Sequence, residues 1–353
     1  MRLGLNLRYL GNLGAGPDPK ASALYVQEAE QLGFSVAWTA EVFSSDAVSL
    51  LGWLAAHTSR IDLGTAVMQI PARTPTMTAM TAATLDIISG GRFRLGLGVS
   101  GPQVSEGWHG ARFDRPLART REYIDVVRLA LRREDVAYDG EYHRLPLPDG
   151  PGKALRLGTR PLRKDVPVYL AAVGPRNTTL AGEIADGWLS VFFQPESGAL
   201  HLANLRAGRE KRGKDLTGFD VVATVPVVVG DDLAECADRV RMYTTHYLGG
   251  MGSRGQNFYN SLAVRLGYAD AARRVQELYL AGKPREAAAA VPQEFLERTA
   301  LLGPVDRIAD GLRAYAEAGV TTLSAMIFPE NTPDGVRSLR AITEAFEKSG
   351  AGG

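Results

Sequence analysis

Residues 61–101, IDLGTAVMQIPARTPTMTAMTAATLDIISGGRFRLGLGVSG, decide the fold. The segment reads as a strand at Ile61–Val67, a helix at Pro75–Ile88 and a strand at Phe93–Leu97. Two short apolar runs joined by a helix-length segment predict parallel pairing through a right-handed crossover. The same alternation extends in both directions. Upstream lie a strand at Leu3–Leu7, a helix at Lys20–Leu32, a strand at Val36–Ala40 and a helix at Asp46–Thr58. Gly33 stops the first of these helices, and Ser45 or Asp46 caps the second. Downstream, the helix Leu117–Arg132 closes the fourth strand–helix unit. Strands at Pro167–Ala171, Trp188–Phe192, Val221–Val229 and Thr321–Ile327 follow. The helices between and after them are Arg176–Ala185, Leu200–Lys211, Asp231–Tyr247, Pro304–Ala318 and Asp334–Lys348.

Eight strands, each followed by a helix, predict an α/β fold of the closed (β/α)8 TIM-barrel type rather than an open sheet. We expect one such domain over residues 1–353, because barrels with insertions reach this length. Two irregular blocks interrupt the rhythm. Asp135–Asp165 is rich in Pro and Gly and predicts a long loop with a hairpin. Residues 250–300 turn helical towards their end. These are insertions after strands four and seven, placed to wall the same face of the barrel. Barrel enzymes carry their active sites at the carboxyl ends of the strands. That rule picks out Arg8, Tyr9, Glu41, Met68, Gly98–Gly101, Val173–Asn177 and Phe193.

Composition narrows the function. The chain is 45% hydrophobic and 22% charged, with a net charge of +1, so no global basic field exists to collect nucleic acid. The single cysteine, Cys236, precludes an intrachain disulfide and a cysteine-based zinc site, and fits a reducing, cytoplasmic setting. No signal peptide is expected, since Met1-Arg2 leads directly into a strand. No apolar window is long enough to span a membrane, so no membrane partner is expected. His57, His109, His143, His201 and His246 show no metal-ligand spacing, and no metal site is expected. No G-x-S-x-G elbow supports a serine hydrolase.

Two loops are suited to phosphate. Leu95–Gly101, LGLGVSG, follows a strand, and its glycines let backbone amides approach an anion closely. Alone it is equally a tight turn; it is not a Rossmann fingerprint, because no helix opens directly behind it. Val173–Thr178, VGPRNT, joins a strand to a helix N-terminus. Gly174 permits close approach, Pro175 suits the first helical position, Asn177 follows, and Arg176 adds charge. Alone it is equally an ordinary helix start. Together on one rim the two loops favour a phosphorylated cofactor. Glu41 ends strand two, where a carboxylate could donate a proton if burial raised its pKa, or simply be solvated. Trp38 reads as core and Asp46 as a helix cap. Trp108 and His109, in the run GWHG after strand four, line a pocket or pack their loop.

Several stretches resemble the deazaflavin-dependent branch of the luciferase-like family. They are Trp38–Ala55, Ile61–Gly110, Arg115–Arg128, Val168–Trp188, Phe219–Asp232 and Gly303–Leu323, which together cover nearly the whole chain. SGGRF-LGLG and GP-N--LAGEIADGW are the family-level signatures among them. The resemblance implies an insertion-decorated barrel, often a homodimer, with coenzyme F420 at the carboxyl ends of the strands. It implies a non-prolyl cis peptide at Ala66–Val67, behind the deazaflavin ring. It places phosphate-binding loops at Gly98, Val99, Ser100 and Gly101, and at Gly174, Pro175, Arg176 and Asn177. Glu41 falls at the family's acidic position after strand two. Members acting on sugar phosphates carry a glutamate after strand four and a histidine after the strand-two acid. Those places here hold Gly101 or Pro102, and Val42, with Glu106 the nearest acid in the strand-four loop, so that substrate class is not implied.

The implied activity is hydride transfer between the deazaflavin and a small organic substrate. Reduction of an activated C=C, C=N or C=O bond is the expected direction, with alcohol oxidation the reverse case. Glu41 or a pocket water would supply the proton. Tyr9, Met68, Trp108, His109 and Phe193 are the candidate pocket walls. Two other readings share the scaffold: an FMN-dependent monooxygenase and a non-catalytic flavin-binding protein.

Overall fold

The computed structural model describes residues 1–10 and 18–352. Eight parallel strands form a closed barrel. They are β1 (Arg2–Arg8), β2 (Val36–Thr39), β3 (Asp62–Thr65), β4 (Phe93–Gly98), β5 (Val168–Ala171), β6 (Gly187–Val191), β7 (Asp220–Val229) and β8 (Thr322–Ile327). Each pairs with its neighbour in order, and closure is explicit: β8 pairs with both β7 and β1, and β7 also pairs with β6. The expected fold class is therefore the observed one.

The barrel interior is packed, as barrels of this size require. Trp38 and Tyr169 meet edge to face inside it, with ring centroids 5.2 Å apart, beside Val36, Leu189 and Val222. Room for the two rings comes from glycine on the adjacent strands. A Cβ at Gly64 would lie 2.3 Å from the Trp38 ring, and one at Gly187 2.3 Å from the Tyr169 ring. Trp38 is thus core, as its sequence context suggested. A larger apolar layer, including Leu5, Leu63, Leu95, Leu170 and Leu323, lies between the strands and the outer helices.

The amino-terminal end of the barrel is closed by charge. Asp220, on β7, accepts from Thr321 and Thr322 hydroxyls at 2.6 and 2.8 Å and from the Tyr169 phenol at 3.0 Å. Arg94 and Arg2 complete the cluster at 3.1 and 3.0 Å. A buried carboxylate surrounded by donors is stable only in such a network.

Two departures from the expected elements shape the opposite end. The strand expected at Ile61–Val67 is broken: β3 stops at Thr65, a cis peptide joins Ala66 to Val67, and a short strand, Met68–Gln69, then pairs with β4. The block at 250–300 is helical through most of its length. After β7, a helix (Leu233–Thr245) runs into a π-helical turn at His246–Gly250, and helices fill most of 258–299. A short strand, Leu301–Gly303, then pairs with the end of β7. This insertion owns a second apolar core, which includes Phe192, Tyr243, Leu248, Val275, Phe295 and Cys236. The insertion after β4 holds the expected hairpin, Tyr138–Asp139 against Arg144–Leu145. Among the described residues no helix is long and apolar enough to cross a membrane, and no cluster of His, Cys, Asp and Glu is placed to hold a metal ion.

Candidate active site

Four loops meet at the carboxyl ends of β2, β3, β4 and β5, and the first three are knitted to one another. Glu41, just past β2, is 8% exposed, and its two oxygens accept from the Arg73 guanidinium at 2.7 and 2.8 Å. They also receive the backbone N–H groups of Ala47 and Gln69 at 3.3 and 3.4 Å. Arg73 reaches on to Asp46 at 2.6 Å, and Asp46 caps the helix that begins at Ala47. Burial alone would lower the pKa of Arg73; the hydrogen bond and charge of Glu41 outweigh it and hold the guanidinium above its ordinary value. Gln69 is the second knot. Its amide donates to Val42 O at 2.6 Å and accepts from the Ser100 hydroxyl at 2.7 Å, linking three loops.

These loops enclose a cavity of about 820 Å³. Its lining includes Glu41, Val67, Gly98, Val99, Ser100, Gly101, Gly174, Pro175, Arg176 and Asn177. The helix Pro175–Ile184 opens onto it with Gly174 as its N-cap and no side-chain cap. The first-turn amides of a helix without a cap are free donors for an anion. Gly101 stands in the same relation to the short helix Pro102–Gly107. A Cβ at Gly101 or Gly174 would meet nothing within 4 Å, so both present bare backbone to open space. Asn177 adds a buried side-chain oxygen with no hydrogen-bond partner.

A second cavity of about 540 Å³ lies over the barrel axis. Asn6, Arg8, Tyr9, Ala66, Thr224, Tyr243, Tyr247 and Phe328 line it. The two cavities share Val42, Phe43, His246 and Met251. Ala66 faces the smaller cavity and Val67 the larger, so the cis peptide sits at their boundary. His246 sits at the same boundary, on the π-helical turn, with Nδ1 2.8 Å from the Tyr279 hydroxyl. Burial, then the charge of Arg8, holds its imidazole below the ordinary histidine value. Burial raises the phenols of Tyr9, Tyr243 and Tyr247, so all three remain protonated donors at neutral pH.

The structure thus brings Val67, both glycine loops and Glu41 to one cavity, and Ala66 and Tyr9 to its neighbour. Four expected residues are placed elsewhere. Met68 is fully buried in the layer between strands and helices, because the strand breaks before it and the alternation of faces does not carry across. Phe193 is 1% exposed and packed against Trp188, His201 and Tyr315. Trp108 is 67% exposed at the end of its short helix and lines neither cavity, nor does its neighbour His109. Both oxygens of Glu41, the expected proton donor, are engaged by Arg73, and the pair braces the loops after β2 and β3. Sequence reasoning missed Gln69, Arg73 and His246. Gln69 follows the strand by one residue beyond Met68, a signal that could have been used; Arg73 and His246 gave no local signal.

The luciferase-like monooxygenase family profile matches residues 1–322. The chain belongs to this family. It is 42% identical, over 97% of its own length and 99% of the relative's, to a protein of Mycobacterium tuberculosis carrying the name coenzyme F420-dependent oxidoreductase. It is 29% identical, over 88% and 90% of the two chains, to a 5,10-methylenetetrahydromethanopterin reductase of Archaeoglobus fulgidus. Among solved structures, the coenzyme F420-dependent tetrahydromethanopterin reductase of Methanopyrus kandleri superposes with a TM-score of 0.81, covering 97% of this chain and 98% of that one. At 24% identity that last likeness shows the fold alone. The relatives place the chain among the oxidoreductases of the family.

Proposed function

We propose that this oxidoreductase uses coenzyme F420, bound in the larger cavity, to exchange a hydride with a small organic substrate in the smaller one. The observation that carries the reading is the pairing of the two cavities. One has free helix-terminal amides and bare glycine backbone suited to a phosphorylated ligand; the other adjoins it across the Ala66–Val67 peptide. The residues fit such a group: Gly98–Gly101 and Gly174–Arg176 would receive its phosphate, and the unpartnered Asn177 oxygen would accept from a hydroxyl. When bound, the deazaflavin supplies a two-electron hydride carrier that behaves like a nicotinamide.

The chain's own residues do the rest. Val67 backs the larger cavity at its junction with the smaller. Phe43 and Met251 line both compartments and would exclude water when both are filled. His246, at the shared wall and held neutral by burial and by Arg8, is positioned as a base to take the proton released when a substrate is oxidised; in the direction of reduction the protonated phenols of Tyr9 and Tyr243 would supply it. Glu41 is left to brace the loops.

Titration of the purified protein with F420 and with FMN tests the reading. Micromolar F420 binding without FMN binding is expected; preference for FMN would overturn the cofactor and favour the monooxygenase reading. His246→Gln should leave the F420 dissociation constant unchanged and lower the rate of substrate oxidation at least tenfold. F420 binding with no hydride exchange towards any acceptor would favour a non-catalytic binder.

A further inference from the structure

We propose that the smaller cavity selects substrates carrying a carboxylate, and that Arg8 holds it. The inference rests on the assignment of that cavity to the substrate. Arg8 is a cation without a counter-ion. No carboxylate pairs with it, and no acceptor takes a hydrogen bond from its guanidinium, among the described residues. The segment 11–17, GNLGAGP, contains no acid that could supply one. A guanidinium has five donors, and structural arginines engage them. Arg92 shows the contrast, donating to Ser89 O, Ile61 O, Thr58 O and the Thr58 hydroxyl. Arg239, the other arginine lining the cavity, is engaged with Phe328 O and Asp334.

The backbone aims Arg8 deliberately. Its φ is +60°, the left-handed region that a non-glycine residue enters only when its surroundings enforce it. Its N–H donates to the Asn6 side chain at 2.9 Å, and its carbonyl accepts from Ala40 at 2.8 Å. The pairing of β1 with β2 bulges between Asn6 and Arg8, a device that redirects a side chain at the rim of a barrel. The guanidinium carbon then stands 5.4 Å from the Tyr243 ring centroid and 5.5 Å from that of Phe328. Ring faces hold a cation in place without using its N–H donors. The planar fork is left free for bidentate capture of a carboxylate in a cavity whose other cation, Arg239, is already engaged.

The test uses trans-cinnamate and crotonate, with their methyl esters as neutral counterparts. Calorimetric binding is measured on wild-type protein, Arg8→Gln and Arg8→Lys, with and without F420. Each acid should bind wild-type protein at least tenfold more tightly than its ester. Arg8→Gln should erase that preference while ester affinity, F420 affinity and melting temperature stay put; Arg8→Lys should keep part of it. Equal binding of acid and ester, an undiminished preference in Arg8→Gln, or no binding of either acid would overturn the proposal. A carboxylate preference in protein that fails to bind F420 would support Arg8 and refute the cofactor instead.

Discussion

Replacing Arg73 by methionine should strand a buried carboxylate. Arg73→Met removes both guanidinium bonds to Glu41, at 2.7 and 2.8 Å, and leaves only the two longer backbone contacts at 3.3 and 3.4 Å. Removing one partner of a buried ion pair costs about 3–5 kcal/mol. The Arg73 side chain is 20% exposed, so some water already reaches the pair and the lower end applies, about 3 kcal/mol. Asp46, the other partner, is half exposed and adds little when released to solvent. A chain of 353 residues has an unfolding entropy of about 0.74 kcal/mol/K, so the loss should lower the melting temperature by about 4 °C.

The sign of the double variant is the sharper test. Glu41→Gln alone should cost about 1–2 kcal/mol, because Arg73 keeps Asp46 and the amide still accepts. Adding Glu41→Gln to Arg73→Met removes the stranded charge, so the double variant should be more stable than Arg73→Met by about 1 kcal/mol or more. Urea unfolding followed by circular dichroism at pH 7.5, with m-values unchanged, measures all three. Additive losses would refute the ion pair as the brace between these loops. A Glu41→Gln variant of full stability that binds F420 normally and transfers no hydride would restore Glu41 as the proton donor.

Other consequences are smaller in scope. Gly174→Asp supplies the side-chain cap that the helix Pro175–Ile184 lacks, so melting temperature should hold or rise slightly while F420 affinity falls at least tenfold; unchanged affinity would remove the anion from that helix end. Gly96→Ala should prevent folding, since its Cβ would lie 1.8 Å from the Thr65 carbonyl oxygen, whereas Gly101→Ala should express normally; soluble, cooperative Gly96→Ala protein would contradict the packing. Asp220→Asn should cost about 1–2 kcal/mol, because Arg94 keeps Asp62 and the amide still accepts, with F420 affinity unchanged, because the cluster lies at the far end of the barrel. His201 is held below its ordinary value by burial and then by Arg265, so the unfolded chain takes up its proton first as pH falls below about 6.5. Its contribution is complete above that pH and lost below it, and His201→Gln should flatten the urea midpoint between pH 7.5 and 5.5 relative to wild type.

The barrel was legible because its signals are local. Each strand is a short apolar run, each helix has its own period, and caps such as Asp46 and Gly33 lie beside the segments they end. The two glycine loops were legible for the same reason, since backbone access and a proline at the first helical turn are written in consecutive residues. The misplaced residues mark where locality fails. Met68 follows a strand expected to reach Val67, but that strand stops at Thr65 and Met68 begins a second short strand. Phe193 follows a strand expected to reach Phe192, but β6 ends at Val191 and Phe192 has a φ of +53°, which turns the next side chain into the core. The Glu41–Arg73 pair joins residues 32 apart, and no periodicity predicts it. His246 comes from an insertion whose path depends on the second core, so its arrival at the cavity boundary is a tertiary event.

The charge of the finished cleft favours one direction of the proposed reaction. The larger cavity carries Arg176 and free helix amides; the smaller carries Arg8 and three phenols that burial keeps protonated. The acid in its wall, Glu41, is neutralised by Arg73. A chain whose net charge is only +1 has therefore gathered positive potential where its reactants would meet. Adding a hydride to an unsaturated carbon deposits negative charge on the acceptor, as an enolate, alkoxide or amide ion. Donors and cations fixed in advance, in a site screened from water, lower that barrier without reorganising. The reverse step needs a group that removes a proton as hydride leaves, and neutral His246 could serve, but its neighbour Arg8 opposes the imidazolium that would form. The balance of these fields favours reduction of the substrate. Its measurable consequence is a pH profile for reduction that holds from pH 6 to 8, where the buried phenols stay protonated.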